Sequence, residues 1–187
     1  VKDIFKELPI KSVILSIHNV EYQGKCAAAD LDVIGLNGLD YLTKEKLQDN
    51  HPKFPNTINL LKGGILYADT VVPVSPSYAK EILTPEYGFN LDSTLRKVQS
   101  KIHGILNGID TTIWDPAHDP FLSTPFAVES ATKGKRANRS QFPMDPNKGP
   151  WVGSITRLVP QKSPELIEEA LKTTLELGGC FLLLGSS

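Results

Sequence analysis

Arg157 and Lys162 lie five residues apart in Thr156-Arg157-Leu158-Val159-Pro160-Gln161-Lys162, between the strand-like run Trp151-Val152-Gly153-Ser154-Ile155 and a predicted helix. Two cations at a strand-to-helix turn suit an anion. A helix start offers unpaired amides and the positive end of its dipole, so phosphate or pyrophosphate is the most economical ligand. Arginine can hold it as a fork and lysine as a point charge. An arbitrary turn of this kind carries such charges as solvated loop residues just as readily. His18 and Asn107 each follow an apolar run that reads as a strand. Polar side chains at the carboxyl ends of strands lie where open α/β sheets bind ligands. The plainer roles are structural for His18 and, for Asn107, a turn residue before Gly108 that tolerates left-handed backbone.

The elements that must position these residues alternate between strand and helix. Lys11 to Ile17 reads as a buried strand ending at His18-Asn19. Ala27 to Pro55 carries Gly35, Asn37-Gly38, Asp49-Asn50 and two prolines, which break any long period and suggest an insertion or lid. Asn56 to Ala68 reads as a buried helix, Thr70 to Val74 as a strand, and Tyr78 to Leu83 as a helix capped by Ser75 or Ser77 with Pro76 at its start. Lys101 to Leu106 is a further strand ending in Asn107-Gly108-Ile109-Asp110. After a proline-bearing connection, Asp115 to Pro125, come a short basic helix, Lys133 to Gln141, and a linker with Pro143, Pro146 and Pro150.

The last predicted helix has Ser163 as N-cap, Pro164 at its first position, Glu165 complementing the dipole and Gly178-Gly179 as a stop. Leu166, Ile167, Ala170, Leu171, Leu175 and Leu177 keep mostly to one face. Cys180 to Leu184 follows as a fully buried strand. The pattern predicts an α/β fold with a doubly wound, largely parallel sheet.

Composition narrows the function classes. The 187 residues are 40% hydrophobic and 22% charged, an ordinary globular balance. A formal net charge of -1 supplies no broad basic field, so neither nucleic acid nor an anionic membrane is an expected partner. No stretch approaches the roughly 20 apolar residues that span a bilayer. Cys26 and Cys180 are far apart and read as reduced core residues, which suggests a reducing compartment. His18, His51, His103 and His118 lack the company of a metal motif, so no metal site is expected. The sole methionine is Met144 and Ser187 follows directly on the second strand of a β-α-β unit, so a fragment or truncated relative is expected.

Five stretches, in order, resemble the starch synthase and bacterial glycogen synthase family of retaining glycosyltransferases. They are Ile17-His18-Asn19 with Glu21-Tyr22-Gln23-Gly24; Leu61 to Asp69; Val74 to Ile82; Gly104 to Asp110 with Trp114-Asp115-Pro116; and Ile155 to Lys162. The wording around Glu21 to Gly24, Thr156 to Lys162 and Leu184 to Ser187 is most similar to plant soluble starch synthases of classes IV and V.

This resemblance implies the GT-B architecture, two Rossmann-like domains, with residues 1–148 the later part of the acceptor-side domain and 149–187 the opening of the nucleotide-sugar domain. It implies transfer of glucose from ADP-glucose to the non-reducing end of an α-1,4-glucan, with ADP-glucose and the α-glucan acceptor as partners and no cofactor. Arg157 and Lys162 become the phosphate contacts, and His18 and Asn107 contacts to the transferred sugar or acceptor. Lys62-Gly63-Gly64-Ile65 imitates the family's early Lys-x-Gly-Gly-Leu loop but sits in a helical apolar pattern, where its glycines permit close packing. The true loop is expected upstream of Val1 and the rest of the second domain beyond Ser187, so the isolated chain is expected to be inactive. Ser163 stands where the family usually carries glycine. A plastid location follows for a plant protein and a cytoplasmic one for a bacterial protein. Two alternatives stay open: a non-catalytic, glucan-binding relative with protein partners in starch granule initiation, and an unrelated Rossmann-type nucleotide binder, weakened by the absence of a Gly-x-Gly-x-x-Gly turn.

Overall fold

A computed structural model describes residues 7–43, 46–49, 56–145 and 147–186. Asn50, His51, Pro52, Pro55, Pro146 and Ser187, which carry turn, linker or motif signals in the sequence, lie outside the described residues. The chain divides into two compact units, Val1–Gly108 and Ile109–Ser187.

In the first unit, strand β1 (Ile14–Ile17) leads through the His18 turn to β2 (Lys25–Ala27) and two short 3-10 helices, Ala28–Ile34 and Gly38–Tyr41. Strand β3 (Thr57–Asn59) then enters helix α1 (Leu60–Tyr67), followed by β4 (Thr70–Pro73), α2 (Pro76–Glu81) and α3 (Asp92–Lys97). β1 and β4 pair in parallel, Ile14 opposite Thr70 and Ile17 opposite Pro73. β2 and β3 form a separate antiparallel pair, Lys25 opposite Asn59.

Several boundaries differ from the sequence reading for identifiable reasons. The expected helix from Asn56 begins as strand β3, because Thr57 and Ile58 are β-branched and bury against β2. The helix starts after Asn59, whose side-chain oxygen accepts the Lys62 amide at 2.9 Å. The first expected strand forms only from Ile14, which is 66% exposed, so it is not buried along its length. Helix α2 starts two residues early, with Ser75 Oγ accepting the Tyr78 amide at 2.9 Å and Pro76 in the first turn. The predicted strand Lys101 to Leu106 is reduced to one bridge between Val71 and Ile102. It still follows β4, since the His103 amide donates to Val71 O (2.9 Å) and the Ile105 amide to Pro73 O (3.0 Å).

One apolar core is built from Ile17, Val20, Ile65, Ala68, Val71, Ile82, Leu91 and Leu95, and a second from Ala28, Leu31, Leu47 and Ile58. The glycines of α1 let the layers close. A Cβ on Gly63 would stand 2.9 Å from Leu47 Cγ, and one on Gly64 3.2 Å from Leu15 Cδ2. Lys62 donates through Nζ to Gln48 O at 2.8 Å, which fits the packing role expected of this segment. The carboxyl end of α1 is capped from far along the chain, where Lys101 Nζ donates to Ala68 O at 2.6 Å and Leu66 O at 3.0 Å.

The second unit holds helix α4 (Ala131–Arg139), strand β5 (Trp151–Ile155), helix α5 (Pro164–Glu176) and strand β6 (Cys180–Leu184). β5 and β6 pair in parallel, Trp151 opposite Cys180 and Ile155 opposite Leu184, which is the expected β-α-β unit. The Arg139 guanidinium lies 4.3 Å from the Trp151 ring centre and donates to Lys148 O at 2.8 Å, fixing α4 to the entry of β5. Gly178, at φ 69, and Gly179 end α5 with amides bonded to Leu175 O and Thr174 O, a Schellman stop.

Two expectations for this unit are corrected. β6 is not fully buried: Leu183 is 50% and Leu184 68% exposed, because the described sheet has one partner strand and one covering helix. The packed stripe of α5 is Ile167, Leu171 and Thr174, whereas Leu166, Ala170, Leu175 and Leu177 face outward. Both cysteines are free, with Cys180 buried and Cys26 half-buried, as expected of reduced core residues.

The buried Asn59 side chain is also a partner of Gln23, Nδ2 to Oε1 at 2.6 Å. Replacing Asn59 by alanine removes a helix cap and strands the Gln23 oxygen. It is expected to lower unfolding free energy by about 3 kcal/mol, read as a lower urea midpoint at unchanged m-value.

Candidate functional site

His18 is exposed and sits one residue past the end of β1. Asn107 is exposed two residues past Ile105, whose amide bonds Pro73 O. β4 lies between the two segments and runs parallel to both. Parallel pairing therefore brings His18, the Ser75-Pro76 start of α2 and Asn107 to one carboxyl edge, the location expected of an α/β ligand site.

This edge is held by its main chain. The Val20 amide donates to Tyr78 Oη at 2.9 Å, and the Glu21 amide to Asn19 Oδ1 at 3.0 Å. Gln23, 5% exposed, donates through Nε2 to Val20 O (3.0 Å) and Phe89 O (2.9 Å). Gly104 passes so close to α2 that a Cβ there would lie 2.5 Å from Pro76 Cα. Further along the sequence, within the second unit, Asp110 Oδ1 accepts the Thr112 amide at 2.9 Å. Asp115 accepts the Ala117 amide and pairs with His118 Nδ1 at 2.6 Å, and the His118 bond holds its carboxyl below the usual range.

In the second unit Arg157 and Lys162 are both exposed and share one turn. Its shape is set by the Thr156 amide on Leu184 O (3.0 Å), the Leu158 amide on Ser186 O (2.8 Å), and a 3-10 turn at Pro160–Lys162. Gly185 makes this possible, because a Cβ there would collide with Thr156 O. Arg157 and Lys162, like His18 and Asn107, have no side-chain partner among the described residues.

The helix start beside these cations differs from expectation. Ser163 occupies the N-cap position of α5, yet its side chain makes no capping bond and its backbone is left-handed, φ 48 and ψ 66. Side-chain capping needs extended backbone there. The preceding 3-10 turn, closed by the Ser163 amide on Pro160 O, forces the left-handed step instead. Pro164 has no amide hydrogen, and the Leu166 amide is taken by Ser163 O at 2.9 Å. With no amide hydrogen on Pro164 and the Leu166 amide already bonded, an anion at this helix start would depend largely on Arg157 and Lys162.

The sequence reading missed Gln23, Asn59, Tyr78, Gly104 and Gly185 as determinants of these edges. A partial signal existed: Gln23 directly precedes Gly24, at φ 59, and Asn59 directly precedes an apolar helical period.

Residues 2–97 match the family model described as the starch synthase catalytic domain. A glycogen synthase of Protochlamydia amoebophila is 43% identical over 100% of this chain and 40% of its own length. The probable starch synthase 4 of Arabidopsis thaliana, described as chloroplastic/amyloplastic, is 42% identical over 97% of this chain and 18% of its own. Among solved structures, the catalytic domain of starch synthase IV from Arabidopsis thaliana, bound to ADP and acarbose, superposes with a TM-score of 0.83 at 42% identity. That match covers 92% of this chain and 36% of the other. The chain belongs to the starch synthase catalytic domain family and has its GT-B type of α/β fold. It spans 40% or less of the length of these relatives.

The left-handed residue at 163 explains why glycine suits this position. Ser163→Gly relieves about 1–2 kcal/mol of steric cost against a smaller loss to chain entropy. Thermal unfolding of the full-length protein should show a net gain of about 0.5–1 kcal/mol, and Ser163→Val a loss. Gly185→Ala should cost about 1–3 kcal/mol in the same measurement by forcing β6 away from Thr156.

Proposed function

We propose that this chain is part of a glucosyltransferase that moves glucose from ADP-glucose to the non-reducing end of an α-1,4-glucan with retention of configuration. The observation that carries the reading is membership of the starch synthase family together with four exposed polar residues that have no partner among the described residues, each pair at the carboxyl edge of its own parallel sheet. The neighbour bound to ADP and acarbose supports a nucleotide and a glucan-like ligand as the two substrate classes.

In this reading residues 1–148 belong to the acceptor-side domain and 149–187 open the nucleotide-sugar domain. The bond between glucose C1 and the β-phosphate oxygen breaks, the glucan 4-hydroxyl oxygen bonds to C1 as its proton passes to the departing diphosphate oxygen, and ADP leaves. Negative charge builds on the leaving diphosphate while the sugar becomes oxocarbenium-like. Arg157 binds the diphosphate as a fork and Lys162 as a point charge, so both act most strongly when that charge develops. His18 and Asn107 hydrogen-bond hydroxyls of the transferred glucose or acceptor. No metal or cofactor beyond the donor is required of these residues. The compartment is the plastid for a plant protein and the cytoplasm for a bacterial one.

The experiment is glucose incorporation from ADP-glucose into glucan by the full-length protein. Arg157→Ala and Lys162→Ala are each expected to lower kcat by about 100- to 1,000-fold. Arg157→Lys should recover little of the loss, because lysine cannot make the two-pronged contact. Unchanged turnover in both alanine variants would remove the phosphate clamp from this reading.

A further inference from the structure

Val20 lies two residues beyond His18 and is 1% exposed, and side chains from elsewhere hold both halves of its backbone. From one side, Tyr78 Oη on α2 accepts its amide at 2.9 Å across 58 residues of sequence. From the other, the buried Gln23 donates to its carbonyl at 3.0 Å. Gln23 cannot swing away: its remaining amide hydrogen is committed to Phe89 O and its oxygen to Asn59 Nδ2, while Asn59 caps α1. The His18 imidazole itself has no partner among the described residues, so the backbone alone sets where the ring starts from.

The same first turn of α2 also fixes the other segment of this edge. Gly104 packs against Ser75 and Pro76 without room for a Cβ, three residues before Asn107. Helix α2 thus touches the His18 turn through Tyr78 and the Asn107 segment through Pro76.

We propose that Tyr78 and Gln23 are positioning residues for His18, and that α2 sets the spacing between His18 and Asn107. This rests on the reading of His18 and Asn107 as sugar contacts. Removing the Tyr78 hydroxyl frees the Val20 amide and lets the His18 turn shift, while leaving every group that meets substrate chemically unchanged. Displacements of about 1 Å at a reacting centre cost up to about 100-fold in rate.

The test is Tyr78→Phe in the full-length protein, beside Gln23→Glu, which keeps shape but loses both donors. Ile82→Val, which removes one buried carbon beneath the same helix, is the stability control. The expected result is a fall in kcat of roughly 10-fold or more for Tyr78→Phe and Gln23→Glu, with KM for ADP-glucose changed by less than about 2-fold. Ile82→Val should keep kcat at a comparable melting temperature, and the His18 ring resonances should move in the first two variants alone. Retained kcat in Tyr78→Phe, or an equal fall in Ile82→Val, would overturn the proposal. Should the unsubstituted protein transfer no glucose, the functional reading fails. The His18 resonances then decide the grip by themselves: moved by Tyr78→Phe and not by Ile82→Val they support it, and unmoved by both they overturn it.

Discussion

The first unit depends on β4 being bonded in parallel on both of its edges. Val71 is 0% exposed, pairs with Leu15 in β1, and accepts the His103 amide on the opposite side. Parallel strands must all point the same way, so the carboxyl ends of β1, β4 and the segment through Ile105 fall together. Without that constraint His18, Ser75 and Asn107, spread over 90 residues of sequence, would share nothing. The apolar core under β4 secures the geometry, since Ile17, Ile65, Val71, Ile82 and Leu95 are almost fully enclosed. Each such side chain contributes about 1.5–3 kcal/mol by leaving water.

The second unit reaches a similar arrangement with less core and more backbone constraint. Its carboxyl edge is formed by β5 and β6, and the approach of Gly185 to Thr156 lets the chain after β6 run beside the Arg157 turn. The missing amide at Pro164 and the Leu166 amide bonded to Ser163 O limit the helix start as an anion site. The helix dipole still contributes, at about 0.3–1 kcal/mol for an exposed charge. Binding strength at this turn therefore falls mainly to two side chains, which explains why a lone helix start would be a poor guide to function here.

What the sequence made legible follows from where each signal was local. The β-α-β unit was readable because Pro164, the apolar stripe and Gly178-Gly179 lie within one window. The Ser75 cap and Pro76 were readable for the same reason. Thr57 to Asn59 was misassigned because its strand character comes from pairing with Lys25 to Ala27, some thirty residues away. The outward face of α5 was misassigned because periodicity marks an apolar side without saying which part of it meets the sheet. The Gln23, Asn59 and Tyr78 contacts were invisible, since each joins residues brought close only by the fold. Ser163 was read as a side-chain cap because its type favours that role. The preceding 3-10 turn decided its backbone instead.

A common economy links the two edges. Hydrogen bonds go to the backbone next to His18, Asn107, Arg157 and Lys162, while the four side chains remain unpaired among the described residues. A side chain already bonded within the protein must give up that bond on meeting a ligand, which offsets about 0.5–1.5 kcal/mol of each new contact. A side chain on a wandering loop instead loses conformational freedom on binding. Fixing the main chain and leaving the polar tips unpaired lowers both costs at once. The same logic explains why Lys62 is different despite its suggestive neighbours: its amine is already committed to Gln48 O, and its helix serves the packing between Leu15 and Leu47.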